Sequence, residues 1–270
     1  MSMVTAIVDA HVHLHSCHDP DALFSSAARN LSRARLETAR GGERALFLLL
    51  AECQDDNCFD KLRSGGLTLA EWSLRPTGEA NSLLLTDGYQ SLYVVAGRQV
   101  ACREGLEVLV LGTTARFADG RPIRELLEET RSLNLPRVIP WGPGKWLFRR
   151  GRLLNELVET FHDSRLFLGD EGGRPGFWGY PSHFVAAARL GVRDLPGTDP
   201  LPFPHDVDKV GRMGFAVPLD LDPPRPAASL LRVLIDPAVA FERFATLEPP
   251  MRFVRNQLGM QMRKRRAAIA

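Results

Sequence analysis

Ile7-Val8-Asp9-Ala10-His11-Val12-His13-Leu14-His15 runs from an apolar lead into three histidines spaced two apart. In a β-strand, residues i and i+2 face the same side, so His11 and His13 can present both imidazoles to one point. Imidazole is the commonest protein metal ligand, and Asp9 is placed to orient a ring nitrogen from behind. A first strand ending in such a pair suits an α/β barrel, whose active sites lie at the carboxyl ends of its strands. The plain alternative is a polar strand end. Against it, three of the seven histidines fall within this one stretch.

Length and composition allow one large α/β domain over residues 1–270. The chain has 44% hydrophobic residues, enough to bury a full core. We place that core at about residues 5–220, with closing helices and a basic tail over about 225–270. Net charge is +2, yet six bases and no acid occupy the last twenty residues, at Arg252, Arg255, Arg263, Lys264, Arg265 and Arg266. The remaining body holds 28 bases against 32 acids, so no general attraction to nucleic acid is expected.

Four cysteines, at 17, 53, 58 and 102, form no C-x-x-C pair, and Cys53-x4-Cys58 lacks the second half of a zinc site. A reducing cytoplasm is the expected compartment. The longest apolar run, residues 45–51, is too short to span a bilayer.

The order of elements reads as α/β. Asp19 and Pro20 start a helix over roughly 21–40, stopped by Gly41-Gly42, and residues 44–51 form an apolar strand, completing a βαβ unit. Short strand-like runs at 81–86, 91–95, 99–102 and 106–111 are separated by Asp87-Gly88, Ala96-Gly97 and Glu104-Gly105, which predict hairpins. Alternation then resumes, with helices at 122–132, 152–161 and 182–190 and strands at 138–140, 166–170 and 192–195. Residues 200–204 and 223–226 read as proline-rich loops, and 227–234 and 238–266 as closing helices.

Polar residues recur where strands end: His11 and His13, Glu52, Lys145, Asp170 and Asp199 follow five different strands. In a barrel they would meet at one mouth. Histidine with carboxylate suits Zn, Mn or Fe, ions that polarise phosphoryl or carbonyl oxygens and activate water. Asp199 reads as a ligand or base, or as an Asx turn before Pro200. Glu52 and Asp170 read as further ligands or as caps of the next helix. Lys145, between two tryptophans, can bind an anion or stack on an indole. Arg174, after Gly172-Gly173, can hold a phosphate or carboxylate. His205 lies close enough in sequence to reach such a site, whereas His162 and His183 read as helix-surface residues.

The segment Asp9-Ala-His11-Val-His13 resembles the opening motif of the polymerase and histidinol phosphatase (PHP) family. That family implies a distorted TIM-like barrel of seven β/α units with a multinuclear metal site, here with a β-hairpin meander in the middle. A further family ligand matches His18 or Asp19, and Glu52-Cys53 stands where the family has an acid-histidine pair. Gly97-Arg-Gln99 and Gly105-Leu-Glu107-Val-Leu109-Val-Leu-Gly112 follow the family's middle frame, with Gln99 for a glutamate and Leu109 for a histidine. Gly197-Thr-Asp199-Pro-Leu201 is similar to its closing motif, with Leu201 for the last histidine. The resemblance covers about residues 7–202.

It implies a metal-dependent hydrolase that attacks a phosphoester with metal-activated water. His11 and His13 would hold one or two ions of Zn, Mn or Fe, Asp199 would serve as ligand or base, and Glu52 and Asp170 would add ligands. Lys145 and Arg174 would bind a small anionic substrate. The reduced set also resembles the wider amidohydrolase barrels, which act on amides and lactones. Gln99 and Leu109 favour a third reading, a degenerate barrel that binds a small molecule or a protein. Oligomeric state is open.

Overall fold

The computed structural model describes residues 2–36 and 42–267, without the side chains of residues 264, 266 and 267. β1 (Ser2–Val12), α1 (Pro20–Ser32) and β2 (Arg44–Leu50) form the expected βαβ opening, with β1 and β2 parallel. Asp19 caps α1 by accepting from Asp21 N at 3.1 Å, and Pro20 opens the helix. The helix stops at Ser32, short of the predicted end, because Arg33 N–H and Ala34 N–H turn back onto the carbonyls of Asn30 and Leu31. The rest of that predicted helix, 37–40, and Gly41 lie outside the described residues.

α2 (Cys58–Ser64) follows, then β3 (Ser73–Pro76), β4 (Ser82–Thr86) and β5 (Ser91–Val95), an antiparallel meander joined to β2 through β5. β6 (Gly97–Ala101) and β7 (Glu107–Leu111) make a hairpin. The turns at Asp87-Gly88 and Glu104-Gly105 close hairpins as expected. At Ala96-Gly97 the chain instead crosses from one sheet to the other. A side chain at Gly97 would strike the Leu50 carbonyl and come within 3.1 Å of Val110 O, so only glycine fits that crossing.

α3 (Ile123–Ser132), β8 (Arg137–Pro140), α4 (Phe148–Phe161), β9 (Leu166–Glu171), α5 (Ser182–Ala188) and β10 (Arg193–Gly197) then alternate. A 3-10 turn at Pro204–Lys209 leads to β11 (Met213–Leu221), α6 (Pro226–Leu234), β12 (Glu242–Ala245) and α7 (Pro250–Ala267). The single helix expected over 238–266 is thus a strand and a helix, divided at Pro249-Pro250. β11 has no counterpart in the sequence reading, and it contains Pro218, a residue that central strands rarely carry. It lies between β1 and β12, but β12 pairs only Met213–Ala216. Pro218 falls beyond that ladder, where its missing N–H is tolerated on the free side.

The strands form two sheets, ordered β12-β11-β1-β2-β5-β4-β3 and β10-β9-β8-β7-β6. The α/β class holds, and the expected distorted barrel of seven units is corrected to two sheets that do not form one closed barrel. β2 spends its ladder on β5, so it touches β6 only at one bridge, with Glu52 N donating to Gly97 O at 3.1 Å. At the other seam Asp199 N donates to His11 O at 2.8 Å. Val8, Phe47 and Leu49 pack with Leu109, Val138, Phe167 and Leu195 in a core between the sheets. Leu23 and Phe24 of α1 cover the other side of the first sheet, and Ile123 and Leu154 cover that of the second. Each fully buried Leu or Phe contributes roughly 1.5–3 kcal/mol.

An ion pair between a buried and a half-buried group anchors β8. Arg137 is fully buried, and its Nη2 lies 2.5 Å from Asp163 Oδ1. Asp163→Ala is expected to cost about 3–5 kcal/mol, because it strands the guanidinium in the core. Burial pushes the Asp163 carboxyl up, but the Arg137 hydrogen bond outweighs this and holds it below its usual value of 3.8. The pair's stabilisation is complete above that usual value and fades as pH falls through the lowered one. Urea midpoints of Asp163→Asn and wild type should therefore differ at neutral pH and converge in acid.

Candidate metal centre

The site begins with an irregularity in β1. Asp9 pairs with Leu48 and Val12 with Leu50, so β1 spends one more residue than β2 over that interval. This is a β-bulge, which re-aims the side chains that follow it. Before it, Val8 faces the core between the sheets and Ile7 faces α1. After it, Val12 and Leu14 face α1, so His11 and His13 turn inward. Regular alternation from Val8 would have put His11 on the opposite side.

His11 and His13 are both buried. Their Nε2 atoms lie 2.9 Å apart, and Asp199 Oδ1 is 3.7 Å from the first and 3.5 Å from the second. One ligand atom from each of the three residues lies within 4.8 Å of the others. Asp199 reaches this point through a backbone φ of +44°, a left-handed conformation that aspartate tolerates better than most residues. β10 can approach β1 because residue 197 is glycine; a Cβ there would sit 2.6 Å from the Cβ of His11.

Glu171 completes the group, its Oε2 2.9 Å from His11 Nδ1. The sequence reading does not single out Glu171; it names Asp170, one residue earlier on the same strand. Asp170 shares its side of β9 with Leu166 and Leu168, which face the helices, whereas Glu171 shares the inner side with Phe167. Asp170 is fully buried and held by Arg174 Nε at 2.8 Å and Arg243 Nη2 at 2.6 Å. It stands away from the triad, as a structural anion.

Glu52 is likewise turned outward. Its Oε1 accepts from Phe59 N at 2.7 Å, capping α2, and its Oε2 pairs with Arg98 at 2.8 Å. Arg174 donates to Asp170 and to the Trp178 carbonyl, so its guanidinium serves the 170–178 loop rather than a substrate. Asp9 does not orient an imidazole: its carboxylate accepts from the Thr198 amide and hydroxyl, Gly211 N and His11 N, which ties β1 to the segment after β10. Burial pushes Asp9 up to about 6 despite these donors. His205 stacks on Phe203 and pairs with Asp206.

Lys145 does stand at the site. A cleft of about 280 Å³ opens over Asp199 and Glu171, lined also by Glu107, Trp141 and Lys145 and walled by α7 through Asn256 and Met260. Lys145 Nζ pairs with Glu107 at 2.5 Å and keeps part of its surface in solvent.

Electrostatics couple the four central residues. Burial opposes a charge on His11, but Glu171 and then Asp199 outweigh it and lift its pKa to about 9. Burial, then the neighbouring charge of His11, holds His13 well below its usual value. Burial raises Glu171 to about 7. It also pushes Asp199 upward, but His11 and His13 together hold that carboxyl well below its usual range.

Two imidazole nitrogens that face one another beside a carboxylate are a donor set suited to a divalent ion, and three protein ligands suffice for a catalytic centre. The carboxylate on His11 Nδ1 is the outer partner such histidines normally have. Glu171→Gln is expected to weaken metal binding by about 10–100-fold with the fold retained, as a chelator competition assay would read.

No family model matches the chain, and no curated protein matches it. Among solved structures, PsfC from Pseudomonas syringae PB-5123 is similar over 97% of this chain and 99% of its own, with a TM-score of 0.59 and 16% identity. The lesion-specific endonuclease PfuEndoQ from Pyrococcus furiosus is similar over 90% of this chain, with a TM-score of 0.52 and 11% identity. This chain spans 58% of that endonuclease. At these identities the likeness is one of fold.

Proposed function

We propose that the chain is a metal-dependent hydrolase of PHP-like type that cleaves a phosphoester. The observation that carries this reading is the convergence of His11 Nε2, His13 Nε2 and Asp199 Oδ1 beneath a cleft whose rim bears Lys145. His11, His13 and Asp199 would hold Zn, Mn or Fe. When bound, such an ion polarises a phosphoryl oxygen and acidifies water. Glu171 holds the His11 ring in place, and Lys145 draws the anionic substrate toward Asp199. Asp199, with 30% of its side chain exposed, is open to cleft water.

The centre is reduced relative to the family. Leu109 is buried in the core between the sheets, so packing fills the position of a family histidine. Gln99 lies beside His11 with Oε1 3.1 Å from Nε2, a neutral group at the place of an anion. We read residues 1–270 as one domain, since both sheets contribute to a single inner core. No helix among the described residues is long and apolar enough to cross a membrane. The described cysteines are all free, which suits a reducing cytoplasm.

Beside the small anion read from Lys145 and Arg174, the fold likeness to a lesion-specific endonuclease adds a second substrate class to test, a nucleic-acid phosphodiester. Elemental analysis of the purified protein, then assays with a phosphomonoester, a DNA oligonucleotide, an amide and a lactone, test these readings. Near-stoichiometric metal with phosphoester cleavage supports the proposal, and the cleaved substrate chooses between small ester and nucleic acid. Metal with amide or lactone cleavage alone would make it an amidohydrolase. A chain that holds no metal after reconstitution with Zn, Mn and Fe would be a binding scaffold.

A further inference from the structure

A second convergence lies beside the triad. Cys53 shares its side of the extended chain with Ala51 and Leu49, which pack in the core between the sheets, so its thiol faces inward where Glu52 faces out. Asp56 turns back over it, with Oδ2 accepting from Cys53 N at 3.1 Å. One donor atom each from His13, Cys53 and Asp56 lies within 4.8 Å of the others. His13 is 4% exposed, and its Nδ1 has no hydrogen-bond partner. Gln99 spans the two groups, with Oε1 3.1 Å from His11 Nε2 and Nε2 4.0 Å from Cys53 Sγ. The nearby Cys58 is turned elsewhere, its thiol donating to the Leu14 carbonyl at 3.2 Å.

We propose that His13, Cys53 and Asp56 form a second cation seat that shares His13 with the first and is selective for thiophilic ions such as zinc. The proposal rests on the reading of His13 as a metal ligand, but it needs neither His11 nor Asp199. The chemistry of the donors separates the two seats. Imidazole with carboxylate accepts Mn or Fe, whereas a thiolate favours Zn and softer ions. A coordinating thiol is deprotonated, so binding forms one sulfur–metal bond and releases the Cys53 proton to solvent; where the first seat already holds His13 Nε2, bonding through His13 Nδ1 releases the ring proton as well. Without an ion, burial pushes this thiol up to about 12, and it remains a protonated, unreactive group.

Cobalt(II) is the probe, because a cobalt–thiolate bond adds a near-ultraviolet charge-transfer band that imidazole and carboxylate ligands lack. Titration of the full chain should produce that band in wild type. It should persist in Cys58→Ser, His11→Ala and Asp199→Asn, and disappear in Cys53→Ser. Asp56→Asn should weaken cobalt binding at that band by at least about tenfold, the scale of losing one supporting group. Zinc, added second, should displace the band, whereas manganese should not. Absence of the band in wild type, or its survival in Cys53→Ser, would overturn the proposal. Loss of the first centre is read separately, as metal retained by wild type but not by Asp199→Asn in the presence of manganese alone.

Discussion

Alanine at both His11 and His13 is expected to remove metal binding and, with it, the proposed hydrolysis. Losing an outer partner of a ligand already costs up to about 100-fold in metal affinity, so losing two of three ligands should exceed that. The fold should survive, for a specific reason. Glu171 is the buried group left without its imidazole, and burial already raises its pKa to about 7. It can take up a proton near neutral pH rather than remain a buried charge. Metal content by elemental analysis, with far-ultraviolet circular dichroism as the control, checks the result. Activity that survives in the metal-free double variant would place the chemistry elsewhere.

The second large effect concerns stability. Asp170→Ala should destabilise the protein by about 3–5 kcal/mol, because a fully buried anion shared by two guanidiniums is removed: buried Arg174 loses its carboxylate, and Arg243 is left with Asp194 alone. Arg174 and Arg243 also flank the Tyr180 ring, at 5.7 and 5.3 Å, so the loss should spread to the 174–180 loop and to β12. Metal content of the folded fraction should stay at the wild-type level. Glu171→Gln should give the converse, weak metal binding with little change in the urea midpoint. The neighbouring acids thus separate a fold effect from a site effect. A metal loss in Asp170→Ala at temperatures where it is folded would restore Asp170 as a ligand.

Much of the architecture was legible in the chain. The apolar lead and paired histidines of β1, the Asp19-Pro20 helix start, the two Gly-containing hairpins and the i, i+3, i+4 pattern of α3 all depend on local rules, and each formed. Asp199 was legible too, since a carboxylate closing a short apolar strand has little packing role. Tertiary structure decided which side each acid faces. Leu166-Phe167-Leu168 and the run ending at Ala51 are apolar on both sides because both sides are covered, so they carry no alternation from which to tell that Glu171 and Cys53 point in while Asp170 and Glu52 point out. The bulge that turns His11 inward is a matter of register between β1 and β2, and register belongs to a pair of strands rather than to either one. The same holds for β11 and for the open seam between β2 and β6: the partner that a strand finds across the sheet, not its own residues, decides whether Pro218 is tolerated and whether the sheets close.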